Sequence, residues 1–298
     1  MSQDTVIDTR KLTKSFGSVH AVRSLDMQVS RGEIFGFLGP NGAGKTTTIR
    51  MLLDFLRPSS GQSLVLGGRG ADPAVRKRIG YLPADLNLPP RYTGNDVFDL
   101  FGDLRGGCDA KRVNALVERF GLDPSRPIGE LSTGNRRKVG IVQAFMHSPE
   151  LLILDEPTSG LDPLLQREFH ELMRESVATG STVFLSSHVL PEVDRIADRV
   201  AILRAGRLVV VSTVDELRAK ARQIIDLHVD VEVSAHMFDD VPGVVEASGD
   251  NGVIRLVIEG SIDDVIKKAA TVEVRRVVSV DHDLEQLFLA FYTDEGDE

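Results

Sequence analysis

The chain has 298 residues, of which 42% are hydrophobic and 27% charged, and a formal net charge of −9. That length suits one large domain or two ordinary ones, and the acidic balance argues against charge-driven binding to nucleic acid or anionic lipid. Cys108 is the only cysteine, which excludes an intrachain disulfide and a cysteine-based metal site and fits a reducing cytoplasm.

The opening, MSQDTVIDTR, is polar, so no signal peptide is expected. No stretch approaches the roughly 18 apolar residues of a membrane helix. Val6 to Arg10 and Leu25 to Val29 alternate apolar and polar residues and read as strands. Glu33 to Leu38 is a more continuous apolar run, suited to a buried strand, and it leads into Gly39-Pro-Asn-Gly-Ala-Gly-Lys-Thr46. Thr47 to Phe55 reads as a helix that Arg57-Pro-Ser-Ser-Gly61 ends. Gln62 to Leu66 and Ile79 to Leu82 are short strands. From Asp85 to Gly129 the pattern is helical, with Val97 to Leu104 and Arg112 to Phe120 as candidates and Gly121 as a stop. A third helix follows Ser132. The apolar runs Leu151 to Leu154 and Thr182 to Leu185 end in Asp155-Glu156 and Ser186-Ser187-His188. Apolar runs separated by helices predict a parallel sheet.

A boundary is expected near residues 220–226, because the texture then changes. Leu227 to Val233 alternates strictly; Val253 to Ile258 and Val272 to Val280 are strand-like; Ile262 to Ala270 and Leu284 to Tyr292 are helical. The acidic tail Asp294 to Glu298 is expected to fray.

The stretch 39–46 fits G-x-x-x-x-G-K-[ST]. Gly39, Gly42 and Gly44 can take backbone angles that bulkier residues resist, so successive N–H groups can turn inward around phosphates. The following helix presents its positive N-terminus to the same anion. Lys45 adds a charge-assisted contact, and the Thr46 hydroxyl suits Mg²⁺, a hard cation. Taken alone, this loop does not separate a kinase, a GTPase and a transport ATPase. Asp155, where a buried strand ends, can hold Mg²⁺. Strand alternation is expected to turn Glu156 the other way, where it can accept a proton from an attacking water.

In order along the chain these motifs resemble an ATP-binding-cassette (ABC) ATPase over roughly residues 5–220. Leu131-Ser-Thr-Gly-Asn135 is similar to the family's signature, usually LSGGQ. Ser159-Gly-Leu-Asp162 resembles its D-loop, and His188 its switch histidine. Phe16 resembles the aromatic residue that stacks on adenine. The resemblance implies an α/β fold: a P-loop NTPase cassette with a RecA-like parallel sheet core, an N-terminal antiparallel β-subdomain and a helical insert over about 85–145. This cassette would occupy residues 1–222, and residues 223–298 a small α+β accessory domain. It further implies ATP and Mg²⁺ as cofactors and a head-to-tail dimer of two ATPase subunits, a homodimer in the simplest case. Gly39, Pro40, Asn41, Gly42, Ala43, Gly44, Lys45, Thr46 and Thr47 would bind ATP on one side. Ser132 and Gly134 would contact the γ-phosphate from the other subunit, and Asp162 would cross the interface. Glu156 and His188 would be catalytic.

Two positions depart from the family pattern. Asn135 replaces the last residue of the signature. Ala84-Asp85 stands where the family carries a glutamine after Tyr81-Leu-Pro83, so Asp85 is a candidate substitute metal ligand beside Thr46 and Asp155. Arg136-Arg137-Lys138 reads as a solvated helix face, and the other six histidines have no clustered spacing, so no metal is assigned to them. Asp283-Leu-Glu-Gln-Leu-Phe288 resembles the ending of ATPases from bacterial ABC-2-type exporters. The expected function is the ATP-hydrolysing subunit of a membrane exporter, cytoplasmic and held at the inner face of the membrane by its permease. The insert and the loop after Tyr81, roughly Tyr81 to Phe101, would receive that permease. The alternative is a soluble ABC ATPase acting on ribosomes or nucleic acid, which the acidic charge and the single cassette disfavour.

Overall fold

The computed structural model describes residues 4–220, 222–230 and 233–280. The chain divides into two compact units between Val211 and Ser212, ahead of the boundary expected at 222/223.

The first unit opens with two long strands, β1 (Thr5–Phe16) and β2 (Val19–Ser30), then β3 (Ile34–Leu38), helix α1 (Lys45–Leu52) and β4 (Ser60–Val65). After the single-turn helix α2 (Pro73–Arg76) and β5 (Ile79–Leu82) come three helices, α3 (Gly94–Arg105), α4 (Ala110–Arg119) and α5 (Thr133–Phe145). Then β6 (Leu151–Asp155), α6 (Pro163–Ala178), β7 (Thr182–Ser187), α7 (Leu190–Ile196), β8 (Arg199–Arg204) and β9 (Arg207–Thr213) follow.

Two sheets result. β2, β1 and β4 form an antiparallel sheet, and the other has the order β5-β6-β7-β3-β8-β9. The pairs β5·β6, β6·β7, β7·β3 and β3·β8 are parallel. All five residues of β3 and all five of β6 are buried, as a sheet covered on both faces requires. One core joins Ile7, Leu12, Leu25 and Val29 of the antiparallel sheet to Phe35 and Phe37 of β3, Ile49 and Leu52 of α1, and Ile153 and Phe184. This core fixes where the carboxyl ends of β3, β6 and β7 lie. In open α/β sheets those ends are where ligands bind.

Helix α1 begins at Lys45 and stops at Leu52, earlier at both ends than the expected span. Gly44 already serves as its N-cap, and Asp54, at φ +54°, carries the chain out of the helix. The insert helices are locally specified. Thr93 and Asp96 form a reciprocal capping box on α3, and Asp109 caps α4.

The second unit holds α8 (Val214–Lys220), β10 (Gln223–Val229), β11 (Val244–Asp250), β12 (Val253–Ile258), α9 (Asp263–Ala269) and β13 (Val274–Val280). Its antiparallel sheet has the order β11-β12-β10-β13. Ile225, Leu227 and Val229 of β10 alternate into a core with Ile254, Leu256, Phe238 and Val265. The expected strand through Val233 stops at Val229. The helix expected over 284–292 and the acidic tail lie outside the described residues.

Candidate functional site

The loop after β3 folds as its glycines require. Gly42 has φ +82° and Gly44 φ +109°. A Cβ on Gly44 would lie 2.3 Å from the Ala21 carbonyl oxygen, so neither the angle nor the space admits a side chain. The N-terminus of α1 is thereby aimed into the loop, an arrangement that favours a bound anion. Lys45 is buried; its Nζ donates to the carbonyls of Gly39 at 2.7 Å and Pro40 at 3.3 Å. Pro40 and Asn41 are exposed on the outside of the loop, Ala43 is buried, and Thr46 and Thr47 are half-buried in the first turn of α1.

β6 ends with Asp155, which is fully buried. Its Oδ1 accepts from Ser186 Oγ at 2.5 Å, whereas Oδ2 has no hydrogen-bond partner. A buried carboxylate oxygen left over in this way suits a hard divalent cation, and so does a hydroxyl such as that of Thr46. Among the described residues, no group of three or more His, Cys, Asp or Glu side chains could hold a metal by itself. Such an ion would draw further ligands from phosphate oxygens and water.

Glu156 does point into the site, but strand alternation is not the reason. β6 stops at Asp155, and Glu156 takes φ +47°, a left-handed angle rare for a residue with a side chain. Its N–H donates to Ser186 O and to Ser186 Oγ, each at 3.2 Å. The side chain then lies with Oε1 3.2 Å from Lys45 Nζ and Oε2 2.7 Å from His188 Nδ1. Residues from the ends of β3, β6 and β7 thus converge on one carboxylate.

Phe16, at the end of the β1–β2 hairpin, is half exposed, and Lys14 Nζ stands 5.1 Å from its ring centroid. Ser132 caps α5, its Oγ accepting from Asn135 N at 3.2 Å, and it is exposed with Gly134 close behind. Asp162 is exposed too. Its Oδ1 caps α6 by accepting from Leu164 N and Leu165 N, both at 3.0 Å.

A family model described as ABC transporter matches residues 22–159. The chain is 36% identical over 230 residues to the bacitracin transport ATP-binding protein BcrA of Bacillus licheniformis, a match covering 74% of each chain. The chain belongs to the ABC transporter ATP-binding family. It is also 37% identical over 225 residues to the probable multidrug ABC transporter ATP-binding protein YbhF of Escherichia coli (strain K12); that match covers 73% of this chain but only 39% of YbhF. A solved structure of an ATP binding subunit of an ABC transporter superposes with a TM-score of 0.68 at 32% identity, covering 72% of this chain and 92% of the other. The first unit therefore carries the ATPase cassette of this family, the α/β fold expected from its motifs.

Within this ABC cassette, Gly39 to Thr47, Asp155, Glu156 and His188 come together. Ser132 and Asp162 are exposed at helix N-termini instead, with Gly134 half-buried in the first turn after Ser132. Asp85 is exposed and lines a cavity with Arg137, Ser159 and Gly160. Arg137 is what the sequence reading missed. It is 5% exposed, so it is no part of a solvated face. Burial pulls its pKa down to about 10 against the opposing pull of Asp155, Glu156 and Asp85, so it stays charged at neutral pH. Its spacing held the signal, since Arg137 shares a helix face with Ile141 and Phe145, four and eight residues on.

Beside the insert lies an apolar groove of about 550 Å³, lined by Phe55, Tyr81, Leu86, Leu88, Phe101 and Leu104. Arg76 lies over the Phe55 ring and Arg105 over the Phe101 ring, at 5.4 and 5.5 Å. Burial, then the nearby Asp155 carboxylate, push the Tyr81 hydroxyl up to about 12. Among the described residues, no helix is long and apolar enough to cross a membrane.

Proposed function

We propose that this chain hydrolyses ATP as one half of a head-to-tail dimer and so drives an ABC-2-type membrane permease, acting in export. The observation that carries the reading is the Glu156 carboxylate held between Lys45 and His188 beside the phosphate loop. Glu156 is the general base for the attacking water, and His188 positions that water and the γ-phosphate. A triphosphate entering the loop offers Lys45 stronger partners than the two loop carbonyls, and so frees Glu156 for its water. Phe16 stacks on adenine, for which roughly 1–3 kcal/mol per base is usual.

Mg²⁺, held by Thr46 and Asp155, would supply positive charge to the β- and γ-phosphate oxygens; Asp85 is the candidate third protein ligand. Ser132 and Gly134 serve the partner subunit's nucleotide, and Asp162 lies at the same interface. The exposure of Ser132 and Asp162 supports this division of labour. The second unit, with the rest of the C-terminal region from residue 223, is an accessory domain.

The groove around Phe55, Tyr81 and Phe101 receives the permease, which holds the chain at the inner face of the membrane. Its apolar lining with two arginines above aromatic rings supports an amphipathic helical segment as the occupant. The test is purification of the tagged chain from detergent-solubilised membranes of its own host, with mass spectrometry of whatever accompanies it. A polytopic membrane protein in near-equal amount is the expected result. A chain that arrives alone or with ribosomes would overturn the transport reading and leave the ATPase.

A further inference from the structure

Arg137 has five N–H donors, and all five are spent on main-chain carbonyls. Nε donates to Pro157 O at 2.9 Å. Nη1 donates to Pro83 O at 2.6 Å and Ala84 O at 3.0 Å. Nη2 donates to Asp155 O at 3.1 Å and to Glu156 O in a shorter bond. No donor remains for a phosphate or a carboxylate, so this guanidinium has no direct part in the chemistry.

Its acceptors come from two segments. One is the turn that carries Asp155, Glu156 and Pro157. The other is the exit of β5 at Pro83 and Ala84, from which the chain runs into the groove through Leu86 and Leu88. The left-handed backbone of Glu156 is thus held from both sides, its N–H by Ser186 and its carbonyl by Arg137. That backbone aims the carboxylate at Lys45 and His188. Ala84 has only a methyl group, so its link to the site runs through its main-chain oxygen.

We infer that Arg137 is a positioning residue that fixes the Glu156 carboxylate and ties it to the 83–84 turn at the edge of the groove. A rigid planar cation spans the two segments, so displacement of the 83–84 turn reaches the base through one side chain. The inference rests on Glu156 being the general base.

The test uses the full chain carrying Arg137→Lys or Arg137→Gln, each alone and combined with Glu156→Gln. ATP affinity is measured by equilibrium binding and turnover in single-turnover assays. A lysine ammonium cannot span carbonyls on both segments. Turnover is expected to fall at least about 10-fold, since a full 1 Å misplacement of a catalytic group can cost about 10²-fold. ATP affinity should stay within about 2-fold, since the hydrogen bonds of Arg137 go to the 83–84 and 155–157 segments and not to the phosphate loop. In the Glu156→Gln background the Arg137 changes should add no further loss, as expected for residues acting through one step. Amide hydrogen exchange over 83–92 and 155–160 should rise together. Unchanged turnover in Arg137→Lys, a multiplicative loss in the double variants, or exchange rising in only one segment would overturn the inference. So would ATP binding lost in step with turnover in both single variants, which would assign Arg137 to folding alone. Wild-type turnover in Glu156→Gln by itself would instead sink the base reading, independently of Arg137.

Discussion

His188 Nδ1 lies 2.7 Å from Oε2 of Glu156, and the two residues come from the ends of different strands, β7 and β6. The histidine is 47% exposed while the glutamate is 18% exposed, so the pair sits at the mouth of the site with its working edge toward solvent. His188→Ala should lower ATP turnover by roughly 10²-fold, the usual scale for losing a group that assists proton transfer. ATP affinity should fall less than turnover, because Lys45 and the phosphate loop keep their own hold on the nucleotide. A coupled-enzyme ATPase assay alongside equilibrium nucleotide binding checks both halves.

Gly44→Ala tests the loop geometry. The new residue meets a left-handed φ, costing roughly 1–2 kcal/mol, and its Cβ falls 2.3 Å from the Ala21 carbonyl. Urea unfolding should show a loss of at least about 2 kcal/mol, and ATP binding should weaken with it. A variant of wild-type stability would mean that the backbone at Gly44 is not held as described.

Some of this was readable from residue order and some was not. The span Ile79 to Leu82 coincides with β5, and Val253 to Ile258 with β12, because unbroken or alternating apolar runs reflect burial directly. The phosphate loop was legible because its glycines answer a local demand. The turn at Glu156 was not: its angle is imposed by Ser186, 30 residues away, and by Arg137, 19 residues away. Arg137 itself looked solvated because composition counts charge and cannot see five carbonyls converging on one guanidinium. The division at Val211 escaped notice because β9, Arg207–Thr213, runs across it without any break in local pattern.

The pH dependence of stability follows from His147. Burial, then the nearby Arg105 cation, pull its pKa down to about 4. The unfolded chain therefore takes up the proton first as pH falls below about 6.5. This contribution is complete above that value and is lost as pH drops toward about 4, at up to about 1.4 kcal/mol per pH unit. His170 is lowered in the same direction, chiefly by burial. Unfolding midpoints in urea between pH 7 and pH 4.5 should fall less steeply in His147→Gln than in the parent; an unchanged slope would contradict the assignment.

Asp85→Ala probes the metal. If Asp85 serves as a ligand, the Mg²⁺ concentration for half-maximal turnover should rise several-fold, roughly the 10-fold per 1.4 kcal/mol relation for a lost contact. An unchanged Mg²⁺ titration removes Asp85 from the metal site and leaves Thr46 and Asp155.

The groove is tested by Phe55→Asp and Leu88→Glu. Each places a carboxylate in the apolar lining, where an unpaired charge is costly to bury. Co-purification of the membrane partner should drop at least about 10-fold, whereas ATP affinity stays within about 2-fold. Retention of the partner by both variants would move the docking surface elsewhere.

If Glu156 is the base for ATP held between two copies of this chain, its loss should trap that dimer. Light scattering of the Glu156→Gln chain on a sizing column, with and without ATP and Mg²⁺, tests it most directly. The expected result is a monomer without nucleotide and a stable ATP-loaded dimer with it, hydrolysing at least about 10²-fold more slowly than the parent. A variant that stays monomeric in saturating ATP, or that turns ATP over at the parent rate, would contradict it.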